Sequence, residues 1–412
     1  MTAAWHDLPL RTITPAFLGR FDVTDPEPAE VPFPVPSLRG VLAYWLRALA
    51  GAHLGNRTGR LHDVECAVFG AARAGSAGGP SPILLRADRV RLAAFSIDRT
   101  RDDGLRYLMG PGLTAPKEPP PRYLEPGEVT LRVRNNGTQA HGDLFLAALW
   151  ALRAFGGIGA RSRRGFGTLA VDHIPDLPIR RFDPVWLSRD TVADLDDVIG
   201  CVTLAISDLG FGLGAGTAAA NATPRYPCFA PGHCRHSGQA EDELTRTGGW
   251  RAALDTAGGM LWGFRHGASR PVLSPPPPGT HSDGYTDVVQ PFLDRQPQKG
   301  PLTAAALGLP IPYSDHQGPR SPSDPRKATQ RRAMVDAFID GAPARRASPL
   351  WLRVRHDGSA WRLRSLALYS EWLPPGARLR ITITPGRRSG RVLPPTEHQV
   401  RTELERWFGQ PI

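Results

Sequence analysis

The sequence predicts an α+β fold made of two β-α-β-β-α-β units, the second carrying long insertions. Three observations predict it. Apolar patterning over residues 1–176 runs strand, helix, two strands, helix, strand. A partial second cycle of that order runs over residues 197–412, and the length of 412 residues, 41% hydrophobic and 22% charged, suits two or three domains. That balance excludes a collagen-like chain, a disulfide mini-protein and a long disordered tail.

Residues 10–18 (LRTITPAFL) alternate well enough for an opening strand, and residues 31–36 form a proline-broken connection to Ser37. Ser37 is positioned to cap a helix whose apolar residues Leu38, Val41, Leu42, Trp45 and Leu49 keep helical spacing. Arg39 and Arg47 fall outside that stripe and are expected to face away from the core. Past a glycine-rich loop at 75–80, residues 83–97 and 128–134 read as strands, the latter ended by Asn135, Asn136 and Gly137. Residues 143–155 form a second amphipathic pattern, with Leu144, Ala148, Ala151, Leu152 and Phe155 on one side, and 168–171 can close the unit. This order is that of a ferredoxin-like (RRM-like) unit: two helices cover one face of an antiparallel sheet, and the other face is free to bind.

Residues 178–196 read as an inter-domain connection. The second cycle opens with an apolar strand at 198–206 and a helix at 250–264; strands at 350–355, 361–369 and 378–383 and a helix at 397–408 follow. Insertions at 271–300, with four consecutive prolines, and at 314–332 interrupt it. The expected domains are therefore 1–176 and 197–412.

Lys plus Arg total 50 against 39 Asp plus Glu, a formal charge of +11, which points to a polyanionic partner. Only Lys117, Lys299 and Lys327 are lysine. Arginine favours forked phosphate contacts and base stacking, but an Ala-, Gly- and Pro-rich chain also gains arginine from a GC-rich genome, so only clustered arginines carry weight. Four cysteines make no disulfide framework, the first residues lack a signal-peptide pattern, and no stretch approaches the roughly 20 apolar residues of a membrane span. A soluble cytoplasmic protein without membrane contact is expected.

The densest signal is GGIGARSRRGFG at 156–167. Five glycines, Gly157 and Gly159 among them, allow positive φ and close backbone approach to a ligand, while Arg161, Arg163, Arg164 and the Ser162 hydroxyl lie in the same turn. Such a loop suits a phosphodiester backbone. No Gly-Lys-Ser/Thr ends it and a strand follows it, so it is no Walker A loop. At PSLRG (36–40), Arg39 adds a donor to a helix start whose N–H groups favour anions.

With these two segments the sequence resembles the RAMP (repeat-associated mysterious protein) superfamily of CRISPR systems, and within it the first-subunit family of the Cmr, type III-B, effector complex. The carrying residues are TPAFLG (14–19), PSLRGVLAYWLRAL (36–49), ECAVFG (65–70), SPILLR (81–86), the glycine-arginine loop, GLPIPYS (308–314) and RRASPLWLRV (345–354). The matches are dense only in the first 170 residues; residues 21–35, 71–80 and 271–300 match no pattern of the family. The resemblance implies two ferredoxin-like domains and membership of an RNA-guided complex. It also implies contact with CRISPR guide RNA toward its 3′ region or with the paired target RNA, and with other Cmr subunits. A different, repeated subunit cuts the target in such complexes, so the implied role is binding and assembly, without catalysis or cofactor. RNA contact carries over to Ser37, Arg39, Arg161, Arg163 and Arg164, and more weakly to Arg345 and Arg346.

A positively charged groove gives the sequence-independent affinity required where base pairing supplies specificity. Tyr44, Trp45, Phe166 and Trp351 lie near the basic segments and could stack bases, although Trp45 and Phe166 occupy core positions of their elements. Other chemistry is weaker. Cys228, His233, Cys234 and His236 lack a C-x-x-C knuckle for zinc, and GFGLGAG (210–216) lacks the helix and acidic residue of a dinucleotide site. The enzymatic alternative is a metal-independent RAMP endoribonuclease that processes guide precursors, with His53 and His62 as candidate acid/base groups; Asp22 and Asp25 are candidates for metal-dependent cleavage. A protein-only scaffold is the third class, and it leaves the arginine loop unexplained.

Overall fold

The computed structural model describes residues 4–18, 30–71, 79–97, 102–114, 121–174, 176–212, 223–238, 241–266, 284–315, 320–321, 324–328, 331–384 and 388–409. Asp22 and Asp25 lie outside them, as do 213–216 of the glycine run and 271–283 of the proline insertion. The chain forms two compact units, Met1–Gly258 with Trp351–Ser370, and Gly259–Leu350 with Glu371–Ile412. These follow different lines from the ranges 1–176 and 197–412.

In the first unit, strands β1 (His6–Thr12), β2 (Ile83–Ala87), β3 (Gly127–Asn135) and β4 (Leu169–Val171) form a sheet in the order β2-β3-β1-β4. Every neighbouring pair is antiparallel. Alternation sets the faces: Leu8 and Leu10 of β1 and Val129, Leu131 and Val133 of β3 are buried, while Arg11 and Arg132 point to solvent. The buried face shares one core with helices α1 (Val35–Leu54) and α3 (Gln139–Phe155). The strand expected at 83–97 breaks after Ala87 into the two-residue strands Arg89–Val90 and Ala93–Ala94.

Helix α1 buries Leu38, Leu42, Trp45 and Leu49 as its spacing predicts. It begins at Val35, however, so Ser37 lies inside the first turn and makes no capping bond. Pro36 suits that turn because it has no N–H to leave unpaired. Helix α2 (Thr58–Phe69), not anticipated from the sequence, packs beside α1.

The largest departure concerns residues 198–206. This β-branched run is not a strand but the body of helix α4 (Leu195–Asp208), whose buried residues Leu195, Val198, Cys201, Val202, Ala205 and Ile206 keep helical spacing. Asp196 and Asp197 in its first turn favour the positive helix start. Because α4 packs on α3, the latter is buried on all sides from Gly142 to Phe155, rather than along one stripe. Residues 178–196 are likewise no free linker: Asp143 of α3 accepts backbone N–H bonds from Arg180, Arg181 and Phe182 on one oxygen at 2.9–3.0 Å.

The first unit is completed by the hairpin 351–370. Strand Trp361–Leu368 pairs with Asp242–Thr245 and Cys234–His236, and Leu350–His356 lies beside it. In the second unit, Ile311–Asp315, Arg331–Ile339, Arg378–Thr384 and Ser389–Val392 form an antiparallel sheet in that order, with Ala342–Ala344 on Arg331–Ile339. Helix Glu397–Trp407 starts at Thr396, whose hydroxyl accepts from Gln399 N–H. Among the described residues no helix is long and apolar enough to cross a membrane.

Candidate nucleic-acid interface

Residues 156–167 leave α3 and run back to β4 against the segment after β1. Ile158 N–H donates to Gly167 O (2.9 Å), Ala160 N–H to Phe17 O (2.8 Å) and Gly167 N–H to Pro15 O (2.8 Å). Arg164 N–H closes a turn on Arg161 O at 2.7 Å. The glycines serve this self-packing: a Cβ on Gly159 (φ +80°) would lie 2.6 Å from Phe17 O, and one on Gly167 (φ +65°) would strike Ile158 O. A Cβ on Gly157 would strike Phe166 O. The close approach expected of these glycines is thus made to the protein's own backbone.

The loop and the start of α1 meet. Ser37, Leu38 and Val41 of α1 and Ile158, Gly159 and Ala160 of the loop line one cleft of about 480 Å³, closed by Phe17, Leu113 and Arg122. Its walls are mainly apolar. At the helix start, Val35 N–H is taken by Phe33 O and Pro36 has no N–H, so less of the expected anion-binding potential remains than in an open first turn.

The arginines separate by role. Arg161, itself in the left-handed region at φ +63°, lays its guanidinium over Gly110, in the segment that leads to the cleft-lining Leu113. Burial lowers its pKa, and no acidic side chain pairs with it among the described residues. Arg163 stacks 4.4 Å from the Trp351 ring centroid and 5.5 Å from that of Tyr44, and burial lowers its pKa too. Ser162 and Arg164 are half-buried, and Ser37 is exposed. Arg39 does not turn away from the protein: it donates to Phe69 O (3.0 Å) and Ile83 O (3.4 Å), tying α1 to α2 and β2. Arg47 pairs with Glu65 at 2.6 Å. In the second unit Arg345 is exposed, while Arg346 donates to Trp372 O at 2.8 Å and pairs its backbone with Leu309. Among the aromatics, Trp45, Phe166 and Trp351 are all buried, Trp45 and Trp351 touching with ring centroids 4.8 Å apart.

Beneath the loop lies a cluster that the sequence did not disclose. Arg153, in the last turn of α3, and Arg353, Arg355 and Arg364 of the hairpin converge on Asp190 at 3.2–3.6 Å. Glu241 pairs with Arg355 (2.7 Å) and with Arg364. Arg364 also donates to Ala154 O at 3.0 Å, holding the helix end that feeds the loop. Burial opposes ionisation of Asp190, yet the surrounding guanidinium groups hold its carboxyl well below the usual range.

The alternative chemistries find little geometry. His62 lies 3.4 Å from the Cys66 sulfur, and His53, whose pKa burial lowers, is on a different helix; neither lines the cleft. Burial pushes the Cys228 thiol up to about 11, and among the described residues no three His, Cys, Asp or Glu side chains form a metal-holding group.

The strands and helices of the first unit, with the glycine-arginine loop after α3 and the PSLRG helix start, lie in a stretch that comparison singles out: residues 9–170 match the model of the RAMP superfamily. The chain is also similar to two subunits of the CRISPR Cmr system. CRISPR system Cmr subunit Cmr1-1 of Pyrococcus furiosus is 30% identical over 173 residues, 40% of this chain and 50% of that one. Cmr subunit Cmr1-2 of the same organism is 27% identical over 188 residues, 41% of this chain and 95% of that one. The chain thus spans about half the length of the former. The crystal structure of apo Cmr1 from P. furiosus aligns over 90% of both chains with a TM-score of 0.55 at 16% identity, a likeness of fold.

Proposed function

We propose that this protein is a non-catalytic RNA-binding subunit of a type III-B CRISPR RNA-guided effector, contacting guide RNA toward its 3′ region, the paired target RNA, or both. One observation carries the reading: the exposed Ser37 and the glycine-arginine loop open on one cleft, and Arg161 of that loop lies over Gly110 without an acidic partner among the described residues. A guanidinium with no carboxylate to answer it is suited to a phosphate. The Cmr relatives supply the assembly and its other subunits as partners. Residues 1–176 form one ferredoxin-like domain in this reading, supported by the sheet order β2-β3-β1-β4. Assignment of 197–412 as a second such domain rests on the resemblance, since its expected opening strand is helix α4.

Fluorescence anisotropy with labelled guide RNA tests the reading. Replacing Arg161, Arg163 and Arg164 by Ala is expected to weaken binding and to flatten its salt dependence, the slope falling by about 0.7 for each phosphate no longer neutralised. Unchanged affinity and slope would refute the loop as an RNA site. Specific cleavage of guide precursor that disappears with His53→Ala or His62→Ala would replace the binder with the nuclease.

A further inference from the structure

The helices of the first unit cover one face of its sheet, and the other face holds an arrangement that the cleft does not explain. Along β1 and β3 the register pairs Asp7 with Arg132 and Pro9 with Thr130, so Trp5, one step beyond His6↔Val133, lies opposite Arg134. Across β3 and β2, Arg134 pairs with Leu84 and Arg132 with Arg86. Side-chain alternation puts all of these on the face away from the helices, where Asp7, Arg86 and Arg132 are exposed and Trp5, Leu84 and Arg134 half-buried.

Charges on this face are not evenly matched. Arg11 is answered by Asp172 at 2.8 Å, and Arg132 by Asp88 at 2.9 Å. At the Trp5 corner the two arginines instead meet the indole: the Arg86 guanidinium carbon lies 4.6 Å and that of Arg134 lies 5.0 Å from the ring centroid. No acidic side chain pairs with either among the described residues, and Arg134 Nε is buried without a hydrogen bond. Fastening an indole to the sheet needs only one such guanidinium, worth about 0.5–1 kcal/mol at an exposed site. Two guanidinium groups on one surface indole leave two positive charges unanswered.

We propose that this corner, Trp5 with Arg86 and Arg134, is a second binding surface for single-stranded RNA, separate from the cleft. Planar guanidinium and indole groups offer stacking faces to an unpaired base, and the two charges answer adjacent phosphates. The row Leu84, Arg134, Trp5 crosses three strands, roughly 10 Å, so the RNA strand would run across the sheet. An acidic peptide would satisfy the charges but leave the ring without a stacking partner.

The test uses the whole chain and a short fluorescein-labelled oligouridine, with three proteins beside wild type: Arg86→Ala/Arg134→Ala, Trp5→Ala, and the loop triple variant at Arg161, Arg163 and Arg164. The sheet double variant is expected to bind about 10-fold to 100-fold more weakly, with a salt slope smaller by about 1.4 for two phosphates. Trp5→Ala is expected to lose affinity with little change of slope, because it removes stacking and no charge. Lysines at 86 and 134 should restore the slope but not the full affinity. Sheet variants that bind like wild type would overturn the proposal, whatever the loop variant does; loss in the sheet variants alone would support it while refuting the cleft. Should the variants fail to fold, cross-linking of wild type to 4-thiouridine RNA decides: adducts on peptides bearing Trp5 or Arg134 support the surface, and adducts confined to the loop overturn it. Sheet variants that keep RNA affinity but lose binding to acidic peptide would likewise overturn it.

Discussion

Two groups of arginines in the first unit do opposite things. Arg153, Arg353 and Arg364 have side chains only 3%, 1% and 2% exposed and converge on Asp190, and they also donate to carbonyl oxygens of neighbouring elements. Arg86 is exposed, Arg134 and Arg161 are half-buried, and none of the three has an acidic partner among the described residues. The first group consumes charge inside the fold; the second offers it outward. A net charge of +11 therefore overstates what the surface offers to a polyanion at some places and understates it at others.

The contrast breaks most visibly at Asp190. Asp190→Ala would leave four guanidinium groups short of a carboxylate and should destabilise the protein by about 3–5 kcal/mol in urea unfolding, whereas Arg161→Ala should change stability by less than about 0.5 kcal/mol. Equal effects would erase the distinction. The same carboxylate shapes the acid limb. Its folded-state pKa is depressed, so its contribution is present above the unfolded value of about 3.9 and is lost as pH falls through the folded one. Plots of stability against pH for Asp190→Asn should accordingly be flatter than those of wild type below about pH 4.

A smaller effect is expected at the loop backbone. Gly167→Ala forces a side chain into the left-handed region and onto Ile158 O, which should cost about 1–3 kcal/mol in thermal melts and disturb the cleft wall. Smaller again is Arg163→Ala, which removes stacking on Trp351 and Tyr44 and should cost about 0.5–2 kcal/mol. Arg163→Lys should recover only part of that, since lysine lacks the planar group. If Arg163→Ala leaves stability untouched but lowers RNA affinity, Arg163 belongs with the outward arginines.

What the sequence discloses follows the range of the interactions involved. Strand β3 and helix α1 are legible because alternation and helical spacing are local, and Gly156 to Gly167 stand out by composition alone. Helix α4 is disguised because Val198, Ile199, Val202 and Ile206 are β-branched; its spacing, weighed above its composition, identifies the helix. The meeting of Ser37 with Gly159 is a tertiary event that neither segment signals by itself. The walls Phe17 and Leu113 come from segments that nothing in the sequence joins to them. Asp190 has no signal at all, since its partners Arg353 and Arg364 lie 163 and 174 residues away.

That separation bears on how the protein is made. The hairpin of residues 351–370 closes the first unit: Leu352 N–H donates to Arg163 O at 3.1 Å and Thr168 Oγ1 to Val354 O at 2.9 Å. During translation at about 5–20 residues per second, a ribosome needs roughly 10–40 s to go from β4 to Arg364. Through that interval the nascent glycine-arginine loop lacks its Trp351 platform and Asp190 lacks three of its four partners. Competence to hold RNA at the loop is thus expected to arrive late in synthesis, after most of the chain has left the exit tunnel.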